Sequence, residues 1–118
     1  MSNFIKDEKC AMIMGLATIG AIDDNRKYDR TKIMMRYQDM LGVDTFDFLE
    51  YSNTNSANFI PTLQAMSLEK KKIYVKMMLA LMIEDGQIVD SEKVAFENLV
   101  IAAQIPFDIV KEALEEVR

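Results

Sequence analysis

Two acidic turns are the positions in this sequence where side chains could do chemistry. Ile22-Asp23-Asp24-Asn25 and Ile83-Glu84-Asp85-Gly86 each follow an apolar stretch, and Glu92 comes soon after the second turn. Carboxylate oxygens are the ligands that hard divalent cations prefer, so these turns are candidate sites for Ca²⁺ or Mg²⁺. Neither turn contains the Asp-x-Asp-x-Asp-Gly ligand run of an EF-hand.

The same residues also have an interpretation that needs no ion. Asn25 and Gly86 tolerate the left-handed backbone that commonly ends a helix. Asp90 suits the N-cap of the following helix, and a glutamate in its first turn, Glu92, interacts favourably with the helix dipole. Residue types alone leave both interpretations open.

Enzymatic chemistry has little support in the sequence. The chain contains no histidine, so the commonest general base is missing. It contains neither a Gly-x-Ser-x-Gly motif nor a glycine-rich phosphate loop. The single cysteine, Cys10, has apolar neighbours and is interpreted as a core residue. We therefore predict a protein that is not an enzyme, with no catalytic and no cofactor-binding residues.

The two acidic turns belong to an internal repeat. When the sequence is shifted by 61 residues, Asp24 falls on Asp85, Lys32 falls on Lys93, and Phe46-Asp47 falls on Phe107-Asp108. Across residues 22–49 and 83–110 the identities include two further pairs, which start from Ile22 and Asp29. Each half thus reads as an apolar helix, an acidic turn, an amphipathic helix and a final short helix.

The elements that position these turns are predicted to be helices throughout. The 118 residues form one domain, residues 1–118, and its fold class is all-α, a compact bundle of about seven helices in two pseudo-symmetric halves. The halves are residues 6–52 and 67–117, joined by a polar linker at about 52–57. The helices are expected near residues 6–23, 29–42, 45–52, 57–66, 68–85, 91–103 and 106–117.

Several side chains are expected to pack in a particular way. Gly15 and Gly20 lower the helix propensity of the segment that contains them. Each is therefore expected to permit a close approach between two helices. The phenylalanines Phe46, Phe48, Phe96 and Phe107 are predicted to be core residues. For Tyr37 and Tyr51 two positions stay open: the core, or a helix edge where the hydroxyl is exposed to water. The pairs Met34-Met35 and Met77-Met78 suit either core filling or an adaptable peptide groove.

Composition restricts the partners and the compartment. The net charge of −5 argues against nucleic-acid binding, which needs many lysine and arginine contacts to phosphate. The longest uncharged apolar-rich run, Ala11 to Ile22, is shorter than the roughly 20 residues of a membrane span. One cysteine and no recognisable leader predict a cytoplasmic location. The lysines at 70–72 and 76 form either a partner-orienting patch or a solvated helix face.

The second turn, Ile83-Glu84-Asp85-Gly86-Gln87-Ile88-Val89-Asp90-Ser91-Glu92, resembles the signature of the TerB-like (tellurite-resistance) family. That signature is an apolar helix ending in Asp-Gly, with a glutamate seven positions after the aspartate. The family is all-helical with two pseudo-symmetric halves, and the resemblance covers residues 8–117.

The resemblance implies a metal site that gathers acidic residues from both turns. By position it implicates Asp24, Asp85 and Glu92, with Ca²⁺ or Mg²⁺ as the ion. The first turn departs from the pattern, because Thr31 stands where the second half has Glu92.

The implied function is a non-enzymatic module that binds a protein partner in a stress or tellurite response. Homo-oligomerisation is one form that such an interface takes. The alternatives are a purely structural or assembly protein without an ion site, and a sensor of a small ligand or ion.

Overall fold

The computed structural model describes residues 4–20, 30–55, 59–83 and 90–117. Within these ranges the chain forms seven α-helices and no strand. They are α1 (Lys6–Gly20), α2 (Arg30–Leu41), α3 (Thr45–Asn55), α4 (Ile60–Gln64), α5 (Leu68–Ile83), α6 (Asp90–Ala102) and α7 (Phe107–Val117). The Cα radius of gyration is 13.3 Å, as expected for a compact chain of this length. The predicted all-α class is confirmed, and the described ranges contain the expected seven helices.

Helix α1 lies at the centre of the bundle. It contacts each of the helices from α2 to α6, while α5 packs along α7. A helix with neighbours on most sides must be apolar around most of its circumference. Accordingly Cys10, Ala11, Met12, Ile13 and Leu16 are all fully buried. None of the described helices has both the length and the apolar character needed to cross a membrane.

Gly15 marks the closest approach in the core. The hydroxyl of Tyr74, a fully buried residue of α5, lies directly over it and donates a hydrogen bond of 3.0 Å to the Met12 carbonyl. A Cβ atom at position 15 would overlap this hydroxyl and would lie 3.0 Å from Leu99 Cδ2 of α6. The predicted close approach at Gly15 is thus confirmed, and the neighbour is a tyrosine side chain. The packing around Gly20 lies outside what the structure describes.

Local capping interactions fix several helix ends. The Ser67 hydroxyl accepts from the Lys70 N–H at 3.2 Å, and the Asp44 carboxylate accepts from the Phe46 N–H at 2.7 Å. Both residues therefore act as N-caps of the helices that follow them. Pro61 lies in the first turn of α4, which is only five residues long, as expected for a helix around a proline.

The first four residues of the polar segment predicted as a linker at 52–57 belong to a helix. Helix α3 continues to Asn55, three residues beyond the expected end. The Thr54 hydroxyl donates to the carbonyl of Glu50 at 3.0 Å, so this threonine satisfies its polar atom within the helix. Residues 56 and 57 lie outside the described ranges.

The burial of the aromatic side chains agrees with the prediction only in part. Phe48 and Phe96 are buried, as predicted, and so are Tyr37 and Tyr51. The core assignment of the other two phenylalanines is wrong, because Phe46 is 81% exposed and Phe107 is 77% exposed. Both lie in the first turn of their helices, α3 and α7, on a side that no described helix covers.

The lysine cluster of α5 stabilises the bundle. Lys70 pairs with Glu8 of α1 at 2.8 Å, and buried Lys71 donates to the Gln104 carbonyl at 3.2 Å. Lys72 and Lys76 both pair with Glu116 of α7, and these two ammonium groups hold the pKa of the Glu116 carboxyl below its usual range. The four lysines therefore tie α5 to α1, to the turn after α6 and to α7, which leaves little of the cluster for a partner.

Candidate functional site

Of the three residues predicted to bind metal, the structure describes only Glu92. Asp24 and Asp85 lie outside the described residues, so the structure does not test whether the three carboxylates converge. Among the residues that are described, no three acidic or cysteine side chains come together as a metal-ligand group.

Glu92 lies in the first turn of α6, and its side chain is completely buried. It shares the inward face of α6 with Phe96 and Leu99, which follow it at helical spacing. A carboxylate that only complements the helix dipole can remain in water. Withdrawing a charge from water costs several kcal/mol unless other groups compensate for it. The capping interpretation requires only a carboxylate near the helix start, which can be exposed to water. The complete burial of Glu92 therefore indicates interactions with its surroundings beyond helix capping.

A concave surface lies elsewhere, between α6 and α7 with α5 as its floor. This groove has a volume of about 700 Å³. Its lining is mostly apolar and consists of Leu79, Met82, Phe96, Val100, Ile101, Phe107, Val110 and Leu114, with Lys93, Glu97 and Lys111. Concave, mainly apolar surfaces with a few charged groups are typical of binding sites.

Two apolar side chains stand out at the groove. Ile101 of α6 is 74% exposed, and Phe107 at the start of α7 is almost equally exposed. Met82 in the floor and Phe96 in the α6 wall are buried. The groove thus combines an apolar floor with large apolar side chains in contact with solvent, an arrangement that marks interaction surfaces.

The charged residues of the groove carry both signs. Lys93 and Glu97 lie one turn apart on α6, and Lys111 lies on α7. All three are exposed. The acidic side chains Glu112 and Glu116 lie on a different face of α7, where they pair with lysines of α5. The local charge that an occupant meets is therefore mixed, although the chain as a whole is acidic.

The sequence prediction missed this groove, although α7 carries a signal of it. Ile109, Ala113 and Val117 form one apolar stripe, and Phe107, Val110 and Leu114 form a second directly beside it, so that the two make one wide apolar face. A helix that packs on one neighbour needs only one such stripe. The methionine pairs named as groove candidates lie elsewhere: Met78 is buried and Met35 is exposed on α2.

Comparison of the chain with protein-family models, with curated proteins and with solved structures gives no match. The resemblance to the TerB-like family therefore rests on the acidic turns and the internal repeat.

Cys10 is expected to be chemically inert in the folded protein. It is fully buried, and burial, together with the nearby Asp7 carboxylate, raises the pKa of its thiol to about 11. Because the thiolate is the reactive form, a disulfide reagent at pH 8 should label Cys10 only after urea unfolds the chain. Rapid labelling of the native protein would contradict this placement.

The same pKa shift predicts a pH dependence of stability. The pKa in the folded state lies above the unfolded value of 9.0, so the stabilisation due to the neutral thiol is complete below pH 9. It is lost as the pH rises from 9 to about 11. The difference in unfolding free energy between the wild type and Cys10→Ala should therefore shrink over this interval, as measured by urea titrations.

Proposed function

We propose that this chain is a non-enzymatic helical module of the TerB-like type that binds a protein partner through the groove between α5, α6 and α7. The observation that carries the proposal is the groove of about 700 Å³, with its apolar floor and the exposed Phe107 and Ile101. Two helices flank it, and such grooves accept the apolar face of an amphipathic helix. The mixed charges of Lys93, Glu97 and Lys111 would orient that helix.

A photo-crosslinking amino acid at position 107, compared with the same group at position 46, tests this proposal. Both positions hold exposed phenylalanines at helix starts, so position 46 is a matched control. We expect position 107 alone to crosslink a partner in cells. The purified partner should then bind the wild type at least about thirty-fold more tightly than Phe107→Asp, since loss of a hot-spot aromatic costs about 2 kcal/mol or more.

Equal crosslinking from both positions would contradict the proposal, and so would equal affinity of the purified partner for Phe107→Asp and the wild type. Circular dichroism and thermal melting of the variant exclude unfolding as the cause, because a side chain this exposed contributes little to the core. Binding of a small apolar ligand without any protein partner would favour the sensor alternative.

A divalent-cation site at the acidic turns is a second candidate function, and the complete burial of Glu92 favours it. The site that the resemblance implies would add Asp24 and Asp85 to Glu92. Ligands that bind only the folded state raise its melting temperature. We expect millimolar Ca²⁺ or Mg²⁺ to raise the melting temperature of the wild type by several degrees over EDTA, and to leave Glu92→Gln unchanged. Identical wild-type melts in EDTA and in both ions would reject the site.

The pseudo-symmetry of the two halves is also a proposal, and helix order and helix ends support it. In the described ranges α1 to α3 contain 15, 12 and 11 residues, and α5 to α7 contain 16, 13 and 11. Gly42 after α2 and Gln104 after α6 both have left-handed backbones, with φ of 68° and 57°. These two residues lie 62 positions apart, against the shift of 61 that aligns the acidic turns. Superposition of α1–α3 on α5–α7 tests the proposal.

The resemblance also suggests the process, a stress or tellurite response. A strain of the source organism that lacks the gene should grow less well on tellurite, and the wild-type gene should restore growth. Restoration by the Phe107→Asp gene would show that the process does not need the groove. Unchanged growth of the deletion strain would reject the tellurite setting and favour the structural or assembly alternative.

A further inference from the structure

We propose that α7 is a detachable helix, which opens away from α5 as a unit while the other helices stay folded, and that the ion pairs between α5 and α7 set how often it opens. The inference goes beyond the proposed function, because the detachment of α7 needs no partner. Every residue from Asp90 to Val117, which includes α7 and the turn before it, is described.

The position of α7 at the edge of the bundle is the first reason. Among the described helices, α1 packs against α2 to α6, whereas α7 packs along α5. The groove lies between α7 and α6. In α7, all of whose residues are described, only Ala113 is buried, compared with four buried residues in α6 and seven in α5. Elements with few buried contacts open at a lower free energy than the core of a protein.

The turn before α7 is the second reason, because contacts outside α7 hold it in place. Ile105 of this turn is buried, and the ammonium of Lys71 in α5 donates to the Gln104 carbonyl at 3.2 Å. The exposed Pro106 lies between this turn and Phe107, the first residue of α7. Hinges are commonly a few residues at the end of an element. The turn can therefore stay in place while α7 moves about Pro106.

Charge is the third reason, because three ion pairs join α7 to α5. Lys72 pairs with both Glu112 and Glu116, and Lys76 pairs with Glu116. All four side chains are partly exposed to solvent. Salt screens exposed charges, so these pairs weaken as the ionic strength rises. Ionic strength should therefore shift the equilibrium between the docked and the detached helix.

Detachment of α7 would remove one wall of the groove. Val110, Lys111 and Leu114 line the groove from α7 and would leave with it. A partner that binds only the docked form must also stabilise that form. This consequence rests on the proposed function, whereas the detachment itself does not.

Hydrogen exchange of the purified full chain, read by mass spectrometry at low and high salt, tests the inference. We expect the amides of residues 110–117 to exchange through an opening of lower free energy than the amides of residues 10–16 in α1. In the double variant Lys72→Gln, Lys76→Gln, the α7 amides should exchange about five-fold faster at low salt, as expected for the loss of several exposed ion pairs. Added salt should accelerate the α7 amides of the wild type and leave those of the double variant unchanged.

Lys6→Gln is the matched control. Lys6 forms an exposed ion pair with Asp47, which joins α1 to α3, so its loss should not change exchange in α7. Exchange of α1 and α7 through one common opening would overturn the inference. Equal α7 exchange in the wild type and the double variant would overturn the role of the ion pairs.

Ala113→Asp provides a second test. A carboxylate at this fully buried position opposes docking, because an unpaired charge is costly to withdraw from water. We expect the variant to lose protection throughout α7 while the amides of α1 stay protected. Loss of protection in α1 as well would overturn the inference, since it would show that the bundle needs α7 to fold.

The two sets of outcomes keep this inference distinct from the proposed function. If α1 and α7 exchange through one opening but position 107 still crosslinks a partner, detachment is overturned and the partner-binding function stands. If α7 detaches in Ala113→Asp and the purified partner binds this variant as tightly as the wild type, the groove is overturned as the binding site and the detachment is supported.

Discussion

Replacement of Gly15 by alanine is expected to lower the free energy of unfolding by about 2 kcal/mol. The new methyl group would overlap the Tyr74 hydroxyl and press on Leu99, and overpacking of a core costs about 1 to 3 kcal/mol. Displacement of the hydroxyl also weakens its bond to the Met12 carbonyl, which is worth about 1 kcal/mol. Alanine's higher helix propensity returns up to about 1 kcal/mol. Urea titration of the two proteins measures the net effect.

A double-mutant cycle tests the cause of this destabilisation. Tyr74→Phe removes the hydroxyl that the methyl group meets, so Gly15→Ala should cost less in the Tyr74→Phe background than in the wild type. Thr18→Ala serves as the control, because Thr18 is an exposed residue of the same helix and its replacement should change stability little. Equal costs of Gly15→Ala in both backgrounds would contradict the contact.

The same substitution bears on the groove. At Gly15, α1 comes close to Tyr74 of α5 and Leu99 of α6, and these two helices are the floor and one wall of the groove. A larger residue at this position should push Leu99 outward and with it the wall that carries Val100 and Ile101. We therefore expect Gly15→Ala to weaken binding at the groove as well as folding, whereas a surface change on α1 should affect neither.

Replacement of Glu8 by alanine is expected to destabilise the protein by about 2 kcal/mol. One oxygen of this nearly buried carboxylate accepts from the Ile5 N–H at 2.9 Å and from the Lys70 ammonium at 2.8 Å. The first contact fixes the start of α1, and the second joins α1 to α5. Removal of the carboxylate leaves the half-buried Lys70 without this partner, and breaking a shielded pair costs more than breaking an exposed one.

Urea titrations of Glu8→Ala, Lys70→Ala and the double variant measure the coupling. We expect the double variant to be less destabilised than the sum of the single variants by at least about 1 kcal/mol. Glu50→Ala is the matched control, since this glutamate is exposed, and its effect should remain within about 0.5 kcal/mol. Additive single variants would mean that the ion pair contributes nothing to stability.

Local sequence determined the helices of this protein. Serine at 67, aspartate at 44 and proline at 61 act on backbone groups within three residues, so their effect can be predicted from the chain alone. The end of α3 was misplaced because the polar run after residue 51 looks like a linker. Its threonine hydroxyl bonds back to the helix, a choice that residue type does not reveal.

The candidate site was predicted only in part. The position of Glu92 in the first turn of α6 follows from its distance to the acidic turn. Its complete burial does not, because the bundle that shields the inward face of α6 is formed largely by residues distant in sequence. Asp24 and Asp85 remain predictions.

Only the tertiary structure decided which apolar residues meet water. Phe46 and Phe107 look like core residues by type and spacing, and yet both are exposed, because each lies in the first turn of its helix on a side that no described helix covers. The contacts that made this choice join distant parts of the chain, such as Tyr74 with Met12 and Lys70 with Glu8, each pair 62 residues apart. Helix formation depends on near neighbours, whereas exposure depends on which helices cover one another, and that left the groove open.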